Sequence, residues 1–269
     1  MLERRFADRV VVRQSEDGVA EVCLSRAEKM NALDTAMFDG LLLAGEHLRE
    51  ANGLRAVVLH GEGRAFCAGL DMDSFNRMAD GSGVGEGLVD LVARTHYIAN
   101  RAQQVAWQWR TLPVPGVALG GGLQLALGAD IRFVAPDARL SVMEMQWGLV
   151  PDMAGMALLR ELVRSDVARE LIYSARVLGG EEACRLGLAT AVSMEPLAQA
   201  RDFAHAVAQR NPDAVCAAKR LLNLSPDAEA KELLHAESVE QQALIGSPNQ
   251  REAVAAALAK RTPVFVSAV

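Results

Sequence analysis

The sequence predicts an α/β domain with a largely parallel sheet, and three observations carry that prediction. Short β-branched runs alternate with helical patterns between residues 10 and 135, as a parallel sheet with crossover helices requires. A glycine-rich turn leads from an apolar run straight into a helical one at residues 116–130, GVALGGGLQLALGAD. From residue 151 onward the pattern is helical. At 269 residues and 51% hydrophobic, with aromatics only 4%, the core falls to Ala, Val and Leu.

Residues 10–12 and 19–24 read as a hairpin joined through Glu16-Asp17-Gly18. A polar loop, residues 25–34, closes on Asp34, a suitable N-cap for a helix over residues 35–51. Residues 56–60 form a buried-type strand, followed by a second glycine-rich loop over residues 61–71. Residues 76–87 are polar and glycine-rich, and a mobile loop is expected there. A helix is expected over residues 88–110 and a strand over 131–135. Helices are then expected over 155–163, 165–174, 180–187, 195–210, 212–222, 226–245 and 250–261, the last with an Ala-rich packing face.

A net charge of −6 argues against general nucleic-acid binding. Cys23, Cys67, Cys184 and Cys216 lie far apart without a C-x-x-C pair, which fits a reduced cytoplasmic protein. No stretch has the length or apolarity of a membrane span, and the first ten residues lack the apolar core of a signal peptide. The five histidines show no metal-ligand spacing, so no metal is expected.

Gly120, Gly121 and Gly122 precede Leu123-Gln124-Leu125, which places them at a helix N-terminus. Amides there lack partners inside the helix and suit an oxygen that gains negative charge. For the three glycines alone, a tight turn that packs the helix close to the sheet is the favoured reading. The spacing is neither a Walker loop nor the G-x-G-x-x-G fingerprint.

Residues 26–33 (RAEKMNAL), 66–71 (FCAGLD), 117–130 (VALGGGLQLALGAD), 138–151 (ARLSVMEMQWGLVP), 179–188 (GGEEACRLGL) and Lys260-Arg261 stand in this order. On them the chain resembles the enoyl-CoA hydratase/isomerase (crotonase) superfamily. The resemblance implies a crotonase (ClpP-like) fold, a spiral of ββα units over residues 1–200 that carries the acyl-CoA site. It also implies a C-terminal helical region, residues 201–269, that assembles a homotrimer or a hexamer. Coenzyme A would be part of the substrate, with no separate cofactor.

The same resemblance implies an oxyanion hole from the N–H groups of Leu70 and Gly121, which would stabilise a thioester enolate. One such donor is worth roughly 3–4 kcal/mol in the transition state. It implies coenzyme A or substrate contacts at Ala27, Glu28, Met30, Ala68, Leu70, Asp71, Met72, Gly120, Gly121, Trp147 and Lys260. Hydratases of the family use two glutamates; here Gln124 stands at the first position and Glu144 at the second. Gln124 can hydrogen-bond a water or a carbonyl but cannot take a proton. Asp152 stands where hydratases carry glycine. That carboxylate is similar to one in dienoyl-CoA isomerases and 3-hydroxyisobutyryl-CoA hydrolases.

Glu144, Asp152 and Gln124 are therefore the catalytic candidates, with Met143, Met145 and Trp147 expected to enclose Glu144. Asp152 also fits as an N-cap for the helix over residues 154–163, and Gln124 as a polar lining residue. Cys67 has no histidine in its motif to activate it as a nucleophile. Double-bond isomerisation is the favoured reaction, followed by 2-enoyl-CoA hydration, thioester hydrolysis, and acyl-CoA binding without turnover.

The resemblance has one gap. Between Thr111 and Val117 the chain is short by roughly six residues, about one strand. A central strand is expected to be lost there, or residues to be missing from the written sequence, the second being favoured. An intact mass matching 28.8 kDa excludes missing residues.

Overall fold

The computed structural model describes residues 2–74, 90–119, 122–224 and 229–268. Its main sheet has seven strands. These are β1 (Leu2–Phe6), β2 (Val10–Gln14), β3 (Val19–Leu24), β4 (Ala56–Gly61), β5 (Gly116–Leu119), β6 (Ile131–Val134) and, after the β7 (Arg139–Leu140) and β8 (Leu178–Gly179) ribbon, β9 (Ala191–Val192). β1, β2 and β3 are antiparallel; β3, β4, β5, β6 and β9 run parallel. The expected hairpin is β2–β3. β1 lies outside the expectation, because LERRF is largely exposed; it pairs with β2 through the backbone ladder and an exposed Arg13–Glu3 ion pair.

The expected loss of a central strand does not occur. Gly116–Leu119, directly ahead of the glycines, takes the slot itself. Gly116, Val117 and Ala118 pair with Val57, Val58 and Leu59 on one side. Val117, Ala118 and Leu119 pair with Ile131, Arg132 and Phe133 on the other. The Val57 N–H donates to Pro115 O and continues the ladder. Four residues thus bridge β4 and β6, and the sheet closes without added residues.

The helices lying wholly within the described residues are α1 (Thr35–Arg49), α2 (Arg101–Thr111), α3 (Leu123–Leu127), α4 (Gly155–Leu162), α5 (Ser165–Ser174), α6 (Gly180–Leu186), α7 (Pro196–Ala208), α8 (Pro212–Leu222), α9 (Ala230–Leu244) and α10 (Pro248–Ala259). Asp34 caps α1 as expected, accepting from Met37 N–H at 2.8 Å. α2 starts later than the expected residue 88, because Asn100 and Gln103 form a reciprocal capping box that fixes its first turn. The mobile loop expected at residues 76–87 lies outside the described residues.

Against one face of the sheet pack Met37, Phe38 and Leu41 of α1 and Val105 and Trp109 of α2. Against the other, α7 lays Ala200, Ala204 and Ala208 on Val19, Ala56 and Val58. α3 to α6 form a second apolar cluster beside the sheet. The far C-terminal helices bury little: α9 has no buried residue, and α10 buries only Asn249 and Ala256 of its small-residue surface. No helix among the described residues is long and apolar enough to cross a membrane.

Candidate active site

Three loops leave the carboxyl ends of β3, β4 and β5, where ligands of parallel sheets bind. The first two are locked together by Asn31, which is fully buried with φ 55°. Its Oδ1 accepts from Arg26 N–H at 2.8 Å, and its Nδ2 donates to Glu62 O and Ala65 O at 2.9 and 2.8 Å. Ala68 N–H donates to Met30 O, Leu33 N–H to Gly69 O and Asp71 N–H to Leu33 O. This ladder leaves the Leu70 N–H without a partner among the described residues.

Ala27 and Glu28 lie on a 3-10 turn (Ala27–Lys29), with Met30 exposed after it, and Ala68 and Met72 are exposed on the facing loop. Asp71 faces inward instead: its Oδ2 lies 2.5 Å from Arg26 Nη1. Burial alone would raise its carboxyl, but hydrogen bonds from Asp73 N–H and Arg26 hold it below the usual range. Asp71 therefore braces the loop through its side chain. The sequence reading passes over Arg26 and Asn31, whose polar character inside RAEKMNAL was the available signal.

Gly120 and Gly121 lie outside the described residues. Gly122 begins α3 and abuts Cys67, to which a Cβ at Gly122 would come within 2.5 Å. Burial pushes the Cys67 thiol up to about 12, outweighing a hydrogen bond from Gly69 N–H, so the thiolate is scarce.

α3 carries Gln124 inward, where it is 8% exposed. Its Nε2 donates to Glu144 Oε1 at 2.5 Å, and its Oε1 accepts from Met153 N–H at 3.0 Å and Gly155 N–H at 3.1 Å. The second oxygen of Glu144, Oε2, is buried without a hydrogen-bond partner among the described residues. Gln124 is thus no passive lining residue.

Two expectations are corrected here. Asp152 does not cap the helix: the N-cap position of α4 is Ala154, with φ 63° and no side-chain cap, and Gln124 takes the amides instead. Met143 and Trp147 are 43% and 50% exposed, so they do not enclose Glu144. The carboxyl of Asp152, at the solvent-open side, is raised by partial desolvation and then by the negative charge of Glu144. Lys260 ends α10 in a left-handed conformation. The tail beyond it returns to Arg55, which donates to Phe265 O and Val266 O at the amino end of β4. No described hydrogen bond or ion pair joins the Lys260 side chain to the loop at residues 27–30. Among the described residues no group of three potential metal ligands comes together.

Residues 14–268 match the model of the enoyl-CoA hydratase/isomerase family. The chain belongs to that family. A probable enoyl-CoA hydratase of Mycobacterium tuberculosis is 33% identical over 254 residues, 94% of this chain and 97% of that protein. The mitochondrial Delta(3,5)-Delta(2,4)-dienoyl-CoA isomerase of Dictyostelium discoideum is 25% identical over 256 residues, 92% of this chain and 87% of that protein. The crystal structure of an enoyl-CoA hydratase from Bacillus anthracis superposes with a TM-score of 0.84 at 26% identity, covering 96% of this chain and 99% of that one. The enoyl-CoA hydratase/isomerase family member described here has the crotonase fold, with Gln124, Glu144 and Asp152 gathered at one place in it.

Proposed function

We propose that the protein moves the double bond of an enoyl-CoA thioester, with Glu144 as the proton shuttle. The observation that supports this most is the asymmetry of the Glu144 carboxylate, with Oε1 held by Gln124 and Oε2 buried and unpartnered among the described residues. Glu144 removes a proton from C2 of a 3-enoyl-CoA, and the electron pair moves through C2–C1 onto the thioester oxygen. The N–H groups of Leu70 and Gly121 receive that oxygen. Glu144 then returns the proton to C4 as the electrons flow back, giving the conjugated 2-enoyl-CoA. The Gln124 amide cannot act as a second acid or base, which suits a reaction that needs one proton carrier.

Within the same reading, Ala27, Glu28, Met30, Ala68, Met72, Gly120 and Trp147 contact the coenzyme A or acyl parts, and Asp71 supports them from behind. Lys260 reaches coenzyme A only in an assembled oligomer. Residues 201–269 form the trimer contact, for which α9, with no buried residue of its own, supplies the free surface. The reading places the protein in the cytoplasm, where its cysteines, none of them paired, stay reduced. Coenzyme A enters as substrate, and neither metal nor further cofactor takes part.

Hydration is the second reading, favoured by the raised carboxyl of Asp152 beside Glu144, which can hold a proton for a water-adding step. The deciding experiment incubates the protein with 3-enoyl-CoAs of several chain lengths, separates the products and repeats with Glu144→Gln. Conjugated 2-enoyl-CoA that disappears with the variant supports isomerisation. Accumulating 3-hydroxyacyl-CoA moves hydration to first place, free coenzyme A points to thioester hydrolysis, and binding without product overturns the enzymatic reading.

A further inference from the structure

The side chain of Gln124 has both of its acceptor positions filled. A primary amide offers two lone pairs on oxygen and two N–H bonds; here the oxygen takes the N–H groups of Met153 and Gly155. Backbone N–H groups can only donate, so this oxygen cannot exchange places with the amide nitrogen. A flipped amide would set NH2 against two donors and aim its oxygen at the Glu144 carboxylate. The polarity of Gln124 is therefore dictated by the start of α4, and its nitrogen must face Glu144. Apolar side chains, Leu123, Leu127, Val142 and Leu159, line the small void beside Gln124 and offer its amide no alternative polar partner.

Gly155 belongs to the same device. Its φ is not positive, so backbone conformation does not demand glycine. A Cβ at this position would lie 2.5 Å from Gln124 Oε1 and 2.9 Å from its Cδ. Glycine is needed because the amide oxygen occupies that space.

We propose that Gln124 is a positioning residue: its amide, oriented by the N–H groups of Met153 and Gly155 at the entry to α4, engages Glu144 Oε1 and so leaves Oε2 as the oxygen that carries the proton. Gln124 neither donates nor receives a proton in the reaction. With no acceptor left, it also cannot hold a water through its oxygen, which removes the most direct route by which it would assist hydration. The inference rests on the isomerase reading only for the reaction that reports it.

Three variants test it. Q124M keeps the length and bulk but cannot donate, and a misdirected carboxylate is expected to lower kcat by about a hundredfold with KM little changed. Q124E keeps the acceptor for α4 but sets a second carboxyl against Glu144. Two carboxyls at this spacing share a proton, so the acidic limb of the kcat/KM profile is expected to move up by about one pH unit or more. Gly155→Ala displaces the amide without touching Glu144, and it is expected to shift kcat in the direction of Q124M.

A readout without turnover accompanies these. The carboxyl 13C signal of Glu144, identified by its loss in E144Q, is titrated in ligand-free parent, Q124M and Q124E. Distinct titration curves, with an added step in Q124E, support the positioning role even where the parent isomerises none of the substrates, an outcome that would overturn the isomerase reading alone. Superimposable curves, or a Q124M kcat within about threefold of the parent, overturn the positioning role itself.

Discussion

The buried ammonium of Lys219, on α8, lies 2.7 Å from Asp130 Oδ2 and also donates to the carbonyl oxygens of Trp109 and Val114. Those partners belong to the end of α2, the approach to β5 and the residue just before β6. One side chain thus ties together the segments that flank the four-residue central strand. Burial lowers the pKa of Lys219, with Asp130 opposing that effect, so the ammonium depends on its partners. Lys219→Met removes all three bonds and strands two carbonyls beside a half-buried carboxylate. A loss of about 3 kcal/mol in unfolding free energy is expected, read from urea midpoints. A loss below about 1 kcal/mol, the range of an exposed pair, would show that β5 does not rely on the clamp.

Stability against pH should report the pair of Glu21 and His60, which lie 3.2 Å apart between the sheet and α7, with Arg201 donating to both oxygens of Glu21. Burial disfavours the imidazolium, but hydrogen bonds to Cys23 and Glu21 outweigh it and carry His60 from 6.5 up to about 9. A raised folded-state pKa gives stability that is full below the unfolded value and lost as pH climbs through the folded one. His60 therefore contributes fully below about pH 6.5 and ceases to contribute as pH passes about 9. Glu21 works in the opposite sense: His60 and then Arg201 draw it from 4.5 to about 2, so its contribution is present above pH 4.5 and lost toward pH 2. Urea midpoints of the parent should fall between pH 7 and pH 10, and Glu21→Gln should flatten that fall. Equal slopes in the two proteins would mean that His60 does not titrate with folding.

Much of this arrangement was legible in the sequence because it rests on local signals. Asp34 before an apolar-periodic run marks the start of α1, and the β-branched runs around residues 10–24 mark the first hairpin. The rest depends on tertiary context. LERRF looks like a solvated segment, since β1 is largely exposed and is held to β2 by the backbone ladder and an exposed Arg13–Glu3 pair. Residues 116–119 read only as a short apolar run ahead of the glycines, yet the slot between β4 and β6 turns them into strand. Gln124 reads as a loss of catalytic capacity until the amides of Met153 and Gly155 are seen on its oxygen. Asp152 illustrates the converse: a good N-cap residue goes unused when another side chain reaches the helix start first.

Asn31 offers a separate test of how the loops are held. Its side chain satisfies three backbone groups and tolerates a left-handed conformation better than most residues. Asn31→Ala orphans those groups and strains the backbone, with an expected loss of about 2–3 kcal/mol. Because the loops carrying Ala27–Met30 and Ala68–Leu70 are the proposed coenzyme A contacts, KM for an acyl-CoA should rise more than kcat falls. Asn31→Gly relieves only the strain, so it should recover stability but not KM. A variant pair with matching KM to the parent would separate these loops from substrate binding.

Cys67 and Gly122 set the distance between the loop after β4 and the start of α3. The φ of Gly122 is −101°, outside the left-handed region, so collision is the main argument against a side chain there. A Cβ would lie 2.5 Å from Cys67 Cβ and 3.0 Å from its Sγ. Gly122→Ala should therefore push the two loops apart and destabilise the fold by about 1–3 kcal/mol, as overpacking does, with a larger relative loss of turnover. Cys67→Ala keeps the offending Cβ and should not rescue it, whereas Cys67→Gly removes that carbon. In a double-mutant cycle, Gly122→Ala should be less harmful in the Cys67→Gly background by about 1 kcal/mol or more. Additive effects would locate the need for glycine elsewhere, in the approach of substrate to the turn rather than in the packing of one loop on the other.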